Sequence, residues 1–170
     1  MEEEYMRSKK ITLGLLIVYL MALTWIILFK LQFSVADLPH LRSVNLVPFM
    51  GSVIVNGKVD FTEIINNIVA FIPFGILLST LWEEKSIIKR ILPIFLTSLS
   101  FEILQFIFSI GASDITDLIM NTIGGIIGIC IFIILKKVLK GNCSKVVNII
   151  SLIFAIVLIL FIAFLILANS

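Results

Sequence analysis

The chain has 170 residues, of which 60% are hydrophobic and 14% charged, and its mean hydropathy is +1.18. Soluble domains are about 45–50% apolar, so this composition excludes a water-soluble globular enzyme and predicts a single membrane domain over residues 1–170. The formal net charge of +2 comes without a free basic cluster, which argues against nucleic-acid binding. Because Cys130 and Cys143 lack metal-ligand spacing, we expect two free thiols and no metal.

Five runs of about 20 apolar residues are long enough to cross a hydrocarbon core of about 30 Å as helices. They comprise residues 11–31, 64–82, 87–110, 115–135 and 146–168. Helices are expected because a lipid-exposed strand would leave backbone N–H and C=O groups unpaired. The first run exceeds the roughly 7–15 apolar residues of a secretory signal, so we predict a retained helix. The predicted fold is all-α and polytopic, with about five transmembrane helices.

Basic residues indicate how these helices cross the membrane, because Lys and Arg accumulate in short cytoplasmic loops. Ten of the 13 basic residues precede the first helix or join the second helix to the third and the fourth to the fifth. This pattern predicts a multi-pass protein of the cell membrane, with a cytoplasmic N-terminus and an extracytoplasmic C-terminus.

The segment of residues 32–63 faces outward in this topology and is long enough to hold structure of its own. Residues 44–50 are apolar but too few to span a bilayer, so we expect a re-entrant or interfacial segment there. Asn56-Gly57 is a tight-turn dipeptide between valines, which predicts a small hairpin.

Polar side chains inside the predicted helices are the candidate functional residues, because charged groups in lipid cost about 2.5–3.5 kcal/mol each on insertion scales. In the predicted topology these groups share the outer half of the bilayer, under the loop of residues 32–63. The candidate ligand-binding residues are Arg42, Asn45, Asn67, Glu102, Gln105, Asp117 and Asn121. Together they predict a polar pocket that opens outward.

Several of these residues also have a purely structural interpretation. Glu102 must be protonated, paired or ligating, and a buried pair with Arg42 would merely tie the outer loop to the bundle. Asp114 could simply cap the fourth helix, whereas Asp117, one turn further in, is harder to explain as a cap.

Helix-breaking and small residues lie in the same part of the chain. Pro73 is expected to kink the second helix in mid-membrane, because it removes a backbone hydrogen bond. Gly124 and Gly128 are four residues apart and would let another helix approach closely, which is packing rather than function.

Four short motifs follow one another between residues 42 and 128. They are RSVNLVPF (42–49), Asn67 with FIPFG (71–75), EILQ (102–105), and DITD (114–117) with NTIGGIIG (121–128). In this order and at this spacing they resemble the VanZ-like membrane proteins, a family named after a teicoplanin-resistance protein of Gram-positive bacteria. The resemblance implies a small polytopic cell-envelope protein, some relatives of which lower susceptibility to teicoplanin and related lipoglycopeptides. It implies no settled biochemical activity.

Two classes of function are compatible with these residues. We favour an outward pocket that binds an amphiphile without a cofactor, either a membrane lipid or lipid-linked cell-wall precursor or a lipid-tailed lipoglycopeptide. Arg42 would hold an anionic head group, and the amides would orient it. The alternative is a membrane-embedded enzyme for a lipid or lipid phosphate, in which Glu102, Asp114 and Asp117 provide acid/base groups or begin a divalent-cation site. The sequence leaves open whether the protein is an enzyme, and also its oligomeric state.

Overall fold

The computed structural model describes residues 2–29, 41–49, 54–55, 58–59 and 61–168, which are mostly helical. The helices of these residues are α1 (Glu2–Ile27), α2 (Thr62–Leu81), α3 (Ile87–Phe108), α4 (Ile115–Leu139) and α5 (Cys143–Ala168), and a short 3-10 turn (Lys140–Asn142) joins the last two. Their strands are β1 (Leu41–Asn45), β2 (Ile54–Val55), β3 (Lys58–Val59) and β4 (Ile110–Asp114).

Four stretches of the described chain are long and apolar enough to cross a membrane. They are Met6–Ile27, Thr62–Leu81, Ile87–Phe108 and Ile115–Phe164. The last has 50 residues, because only the short 3-10 turn separates α4 from α5. The polytopic, mostly helical character predicted from the sequence is confirmed. Five separate crossings are not confirmed, and the orientation of the termini stays a prediction. The end of the bundle at β1 and β4 is called the outer end, after that predicted topology, and the opposite end is called the inner end.

The centre of the bundle is formed by α2 and α4, whose backbones almost touch. A Cβ atom at Gly124 would overlap the carbonyl oxygen of Ile68, and one at Gly128 would overlap that of Ile72. These contacts advance in the same direction along both helices, so α2 and α4 run parallel. The packing role expected for the glycine pair is confirmed.

Helix α3 lies against α4 in the opposite direction. A Cβ atom at Gly125 would overlap the side chain of Ile94, while one turn outward the amide nitrogen of Asn121 donates to Ser98 Oγ at 3.0 Å. Because the residue numbers rise on one helix as they fall on the other, the two helices are antiparallel. The outer halves of α3 and α4 are thereby held side by side.

Strands β1 and β4 form a parallel pair, in register from Leu41 opposite Ile110 to Asn45 opposite Asp114. The all-α prediction is wrong in this respect, since residues 110–114 were expected to end the third helix and turn into the fourth. Helix α3 stops earlier because Ser109 adopts a left-handed conformation with φ of 55°. Backbone groups of the residues that follow Ser109 pair with β1.

The segment of residues 44–50 is not confirmed as re-entrant or interfacial. Val44 and Asn45 belong to β1, residues 46–49 form a turn, and residue 50 lies outside the described residues. The expected hairpin is confirmed by the antiparallel pairing of β2 with β3, in which Ile54 lies opposite Val59. Its turn residues, 56–57, lie outside the described ranges.

Helix α5 is joined to α1 by buried polar groups. Thr12 Oγ1 donates to Asn148 Oδ1 at 2.8 Å, and Asn148 Nδ2 donates to the carbonyl oxygen of Ser8 at 3.2 Å. In a membrane such interhelical hydrogen bonds help to select which helix faces pack together. Helix α1 in turn contacts α2, where the Tyr19 hydroxyl donates to the Ala70 carbonyl at 2.5 Å.

The connection between α2 and α3 is held by a buried arginine. The Arg90 guanidinium donates to the carbonyl oxygens of Glu83 and Lys85, at 2.7 and 2.8 Å for its Nη2 atom. The Glu83 carboxylate also forms an ion pair with Lys136 of α4, with 2.5 Å between Glu83 Oε1 and Lys136 Nζ. These contacts lie at the opposite end of α3 from the predicted polar site, so the inner ends of three helices are fastened independently of it.

Candidate functional site

Glu102 is the central residue of the outer part of the bundle. Its side chain is 7% exposed, and its Oε2 atom accepts from the backbone N–H of Asp114 at 2.8 Å. The Glu102 carbonyl accepts from Ser113 Oγ at 2.7 Å, so α3 holds the end of β4 through both groups. The other carboxylate oxygen, Oε1, is buried and has no hydrogen-bond partner among the residues that the structure describes.

Asp114 has the structural role that the sequence offered for it. Its Oδ1 atom accepts from the backbone N–H of Thr116 at 2.7 Å and so caps α4. Its Oδ2 atom accepts from Asn45 Nδ2 at 3.0 Å, and Asn45 Oδ1 accepts from the backbone N–H of Val47 at 3.1 Å. Both polar ends of Asn45 are therefore used in joining β1 to the start of α4.

Arg42 is exposed and lies on the outer end of α3. Its Nε atom donates to the Phe106 carbonyl at 3.2 Å, its Nη2 atom donates to the Ile107 carbonyl at 3.1 Å, and the guanidinium lies 5.1 Å from the Phe106 ring centroid. The last carbonyls of a helix lack intrahelical partners and attract a cation. The structural alternative of a buried Arg42–Glu102 ion pair is wrong, because the guanidinium caps the helix instead.

Asn67 and Gln105 lie at the same depth on α2 and α3. Phe71, one turn inward of Asn67, packs edge-on against Phe101 at 6.4 Å between ring centroids, and the two helices run in opposite directions. Both amides are buried, at 7% and 4% exposure. Gln105 Nε2 donates to the Ile27 carbonyl at 3.2 Å, whereas Gln105 Oε1 and Asn67 Nδ2 have no partner within the described ranges.

Asn121 and Asp117 belong to α4. Asn121 is fully buried, and its Oδ1 atom also lacks a partner in the part of the chain that the structure describes. Asp117 is half-buried one turn outward. The structure therefore brings Asn67, Glu102, Gln105 and Asn121 into one buried region, which we call the buried polar site, while Arg42 and Asn45 lie at its outer edge.

Three further carboxylates lie near Glu102 in the described part of the chain. Asp117, Asp114 and Glu63 all lie close enough to Glu102 to interact with it electrostatically. Glu63 is exposed in the first turn of α2 and was not selected from the sequence. The sequence could have indicated Glu63, because Glu63 and Asn67 are four residues apart and share one face of the helix.

The carboxylates of the site do not assemble into a recognisable metal site. Across residues 2–29, 41–49, 54–55, 58–59 and 61–168, no three His, Cys, Asp or Glu side chains form a group that could hold a metal ion. A divalent cation held by protein groups needs several oxygen ligands converging at about 2–2.6 Å. The metal-assisted enzyme alternative thus finds no ligand set in this part of the chain.

Comparison with known proteins identifies related sequences. The model of the VanZ/LLP1 family matches residues 16–136. Protein VanZ of Enterococcus faecium is 42% identical over 127 residues, which are 74% of this chain and 75% of that protein. No solved structure matches the chain. The family match includes the outer strand pair and every residue of the buried polar site.

Proposed function

Because the chain belongs to the VanZ/LLP1 family, we propose that it is an integral membrane protein of the cell envelope that contributes to resistance against teicoplanin and related lipoglycopeptides. In this proposal the buried polar site faces the outer leaflet and binds an amphiphile. The amphiphile is either a lipid-linked cell-wall precursor or the lipid-tailed drug.

The observation that supports a binding site is the concentration of unpartnered buried polar atoms. In the described residues five buried side-chain atoms lack a hydrogen-bond partner, and four of them belong to Asn67, Glu102, Gln105 and Asn121. Each such atom costs about 1–3 kcal/mol when left unsatisfied. A site that meets a polar ligand would offset this cost, whereas a purely structural network would be expected to satisfy itself.

The surroundings of the site suit a ligand with an apolar tail. Ile103, Phe106 and Ile107, on the outer half of α3, are 49%, 40% and 55% exposed. These side chains form an apolar face next to Glu102 and Gln105, against which an acyl or prenyl chain would lie. Arg42 at the outer edge uses two of its five N–H donors on carbonyls and keeps donors for an anionic group of the ligand.

The test is teicoplanin susceptibility of a sensitive Gram-positive host that expresses the wild type or a variant at matched membrane levels. Glu102→Ala, Asn67→Ala and Asp117→Ala should lose protection. Asn66→Ala is the matched control for Asn67→Ala, because Asn66 is exposed and adjacent in sequence. Susceptibility of the host to vancomycin, which lacks the acyl tail, should not change when the protein is expressed.

Two results would contradict the proposal. The first is full protection by Glu102→Ala at wild-type protein levels, since the buried polar site would then be dispensable. The second is a wild type that protects against neither drug. Turnover of a lipid by the purified protein, abolished in Asp117→Asn, would favour the membrane-embedded enzyme instead.

A further inference from the structure

The unpartnered atoms of the buried polar site are mostly acceptors. Three are oxygens, on Glu102, Gln105 and Asn121, and one is the amide nitrogen of Asn67. The orientation of Gln105 is determined by its partner, because the Ile27 carbonyl can only accept and must face the amide nitrogen. Within the part of the chain that the structure describes, the Gln105 oxygen is therefore left without a donor.

Charge in this region points to the same kind of ligand. Glu102 lies beside a second acidic residue, since the backbone N–H of Asp114 donates to Glu102 Oε2 at 2.8 Å. The exposed Arg42 guanidinium lies on the last carbonyls of α3 rather than against Glu102. A phosphate placed in the buried polar site would oppose oxygen to oxygen and negative charge to negative charge, whereas a cation with N–H groups would complement both.

The spacing of the acceptors along α3 suits a head group larger than a single ion. Gln105 is one turn outward of Glu102 on α3, and Asn121 is joined to Ser98, one turn inward. At a rise of 1.5 Å per residue, the seven steps from residue 98 to residue 105 span about 10 Å along the helix. The acceptors are thus distributed along a line, with the carboxylate between two amides.

From these observations we propose that the buried polar site binds an amphiphile whose head group carries a primary ammonium, held by Glu102 Oε1, and further N–H or O–H donors that reach Gln105 and Asn121. This inference rests on the proposed function and specifies its ligand class. A primary ammonium has three donors and no acceptor, and an ammonium–carboxylate hydrogen bond is stronger than a neutral one. The apolar tail would lie along the exposed face of α3.

The experiment uses the full chain in a neutral maltoside detergent. Thermal unfolding is followed through the reactivity of Cys143, which is 3% exposed, in a Cys130→Ala background that removes the other cysteine. The probes are decylammonium and decyltrimethylammonium, which share chain length and charge but differ in N–H donors. Each is titrated at concentrations below its own micelle formation.

Decylammonium should raise the unfolding midpoint of the wild type in a saturable manner, and decyltrimethylammonium should not. Glu102→Gln retains the shape of the side chain and should lower the affinity for decylammonium at least about tenfold. Gln105→Met should lower it less, and Asn66→Ala should leave it unchanged. Equal stabilisation by both probes, or an unchanged affinity in both Glu102→Gln and Gln105→Met, would overturn the inference.

The result of the decylammonium titration can be distinguished from the result of the teicoplanin test. Absence of decylammonium binding, combined with teicoplanin protection that is lost in Glu102→Ala, would overturn the ammonium assignment and leave the resistance role standing. Saturable, Glu102-dependent binding in a protein that gives no protection would support the ammonium site and refute the resistance role.

Discussion

The substitution Gly128→Ala tests the backbone contact between α2 and α4. The new Cβ atom would overlap the Ile72 carbonyl oxygen and lie 3.0 Å from both the Gly75 Cα and the Ile76 nitrogen. All three are backbone atoms and cannot rotate away, so α2 and α4 must move apart. Overpacking of this kind costs about 1–3 kcal/mol.

Gly14→Ala is the matched control. Gly14 also lies inside an apolar helix, α1, but a Cβ atom there meets nothing within 4 Å. Both substitutions gain the same helix propensity, about 1 kcal/mol, so their difference isolates the steric term. A chain of this size loses about 2–4 °C of melting temperature per kcal/mol, which places Gly128→Ala roughly 2–12 °C below Gly14→Ala.

The measurement is the thermal midpoint in detergent, read from Cys143 labelling in the Cys130→Ala background. Cys143 is buried at the start of α5 and becomes reactive when the helices separate. Equal midpoints for the Gly128→Ala and Gly14→Ala proteins would refute the reasoning, because α2 and α4 could not then be in backbone contact at this position.

Three further predictions concern the outer end, the α1–α5 contact and the topology. Asp114→Ala should lower the stability by about 1–3 kcal/mol in the same thermal assay, because it removes the cap of α4 and the link to β1. Asp114→Asn should lower the stability less, because asparagine keeps an acceptor oxygen. Thr12→Cys combined with Asn148→Cys, in a background without other cysteines, should form a disulfide on oxidation, because these side chains meet at 2.8 Å; no cross-link would place α5 elsewhere. Residues 112 and 141 are exposed at opposite ends of α4. In the predicted topology, an impermeant maleimide should label Ala112→Cys in intact cells and Gly141→Cys only after permeabilisation. The reverse labelling pattern would invert the topology.

Much of the helical fold could be predicted from the sequence. The apolar runs lie within a few residues of the observed helices, and the largest difference is at α1, which extends to Glu2 at one end and stops at Ile27 at the other. Asp114 as a cap and the hairpin of β2 and β3 were also predictable, because both depend on residues close together in the chain. The polar residues of α2, α3 and α4 were found because a polar group in an apolar helix is conspicuous.

The sequence was less informative about which groups the polar side chains contact. Arg42 was expected to hold a ligand or pair with Glu102, yet it caps carbonyls 64 and 65 residues away in the chain. Nothing in the pattern around Arg42 indicates those carbonyls, because any helix end presents them. Glu63 was passed over for the related reason that its proximity to Glu102 depends on how α2 packs against α3.

The sequence by itself determined which segments are helical, that they belong in a membrane, and which polar groups need an explanation. Hydrophobicity and local hydrogen bonding decide these features, and both act over short stretches of chain. Only the tertiary structure decided that β1 pairs with β4 and that the glycines of α4 admit the backbone of α2. It also decided that, among the described residues, four buried amide and carboxylate side chains keep an unpartnered atom. Those features depend on which helix faces meet, and in a membrane, where lipid covers apolar faces as well as protein does, hydrophobicity alone does not select the faces.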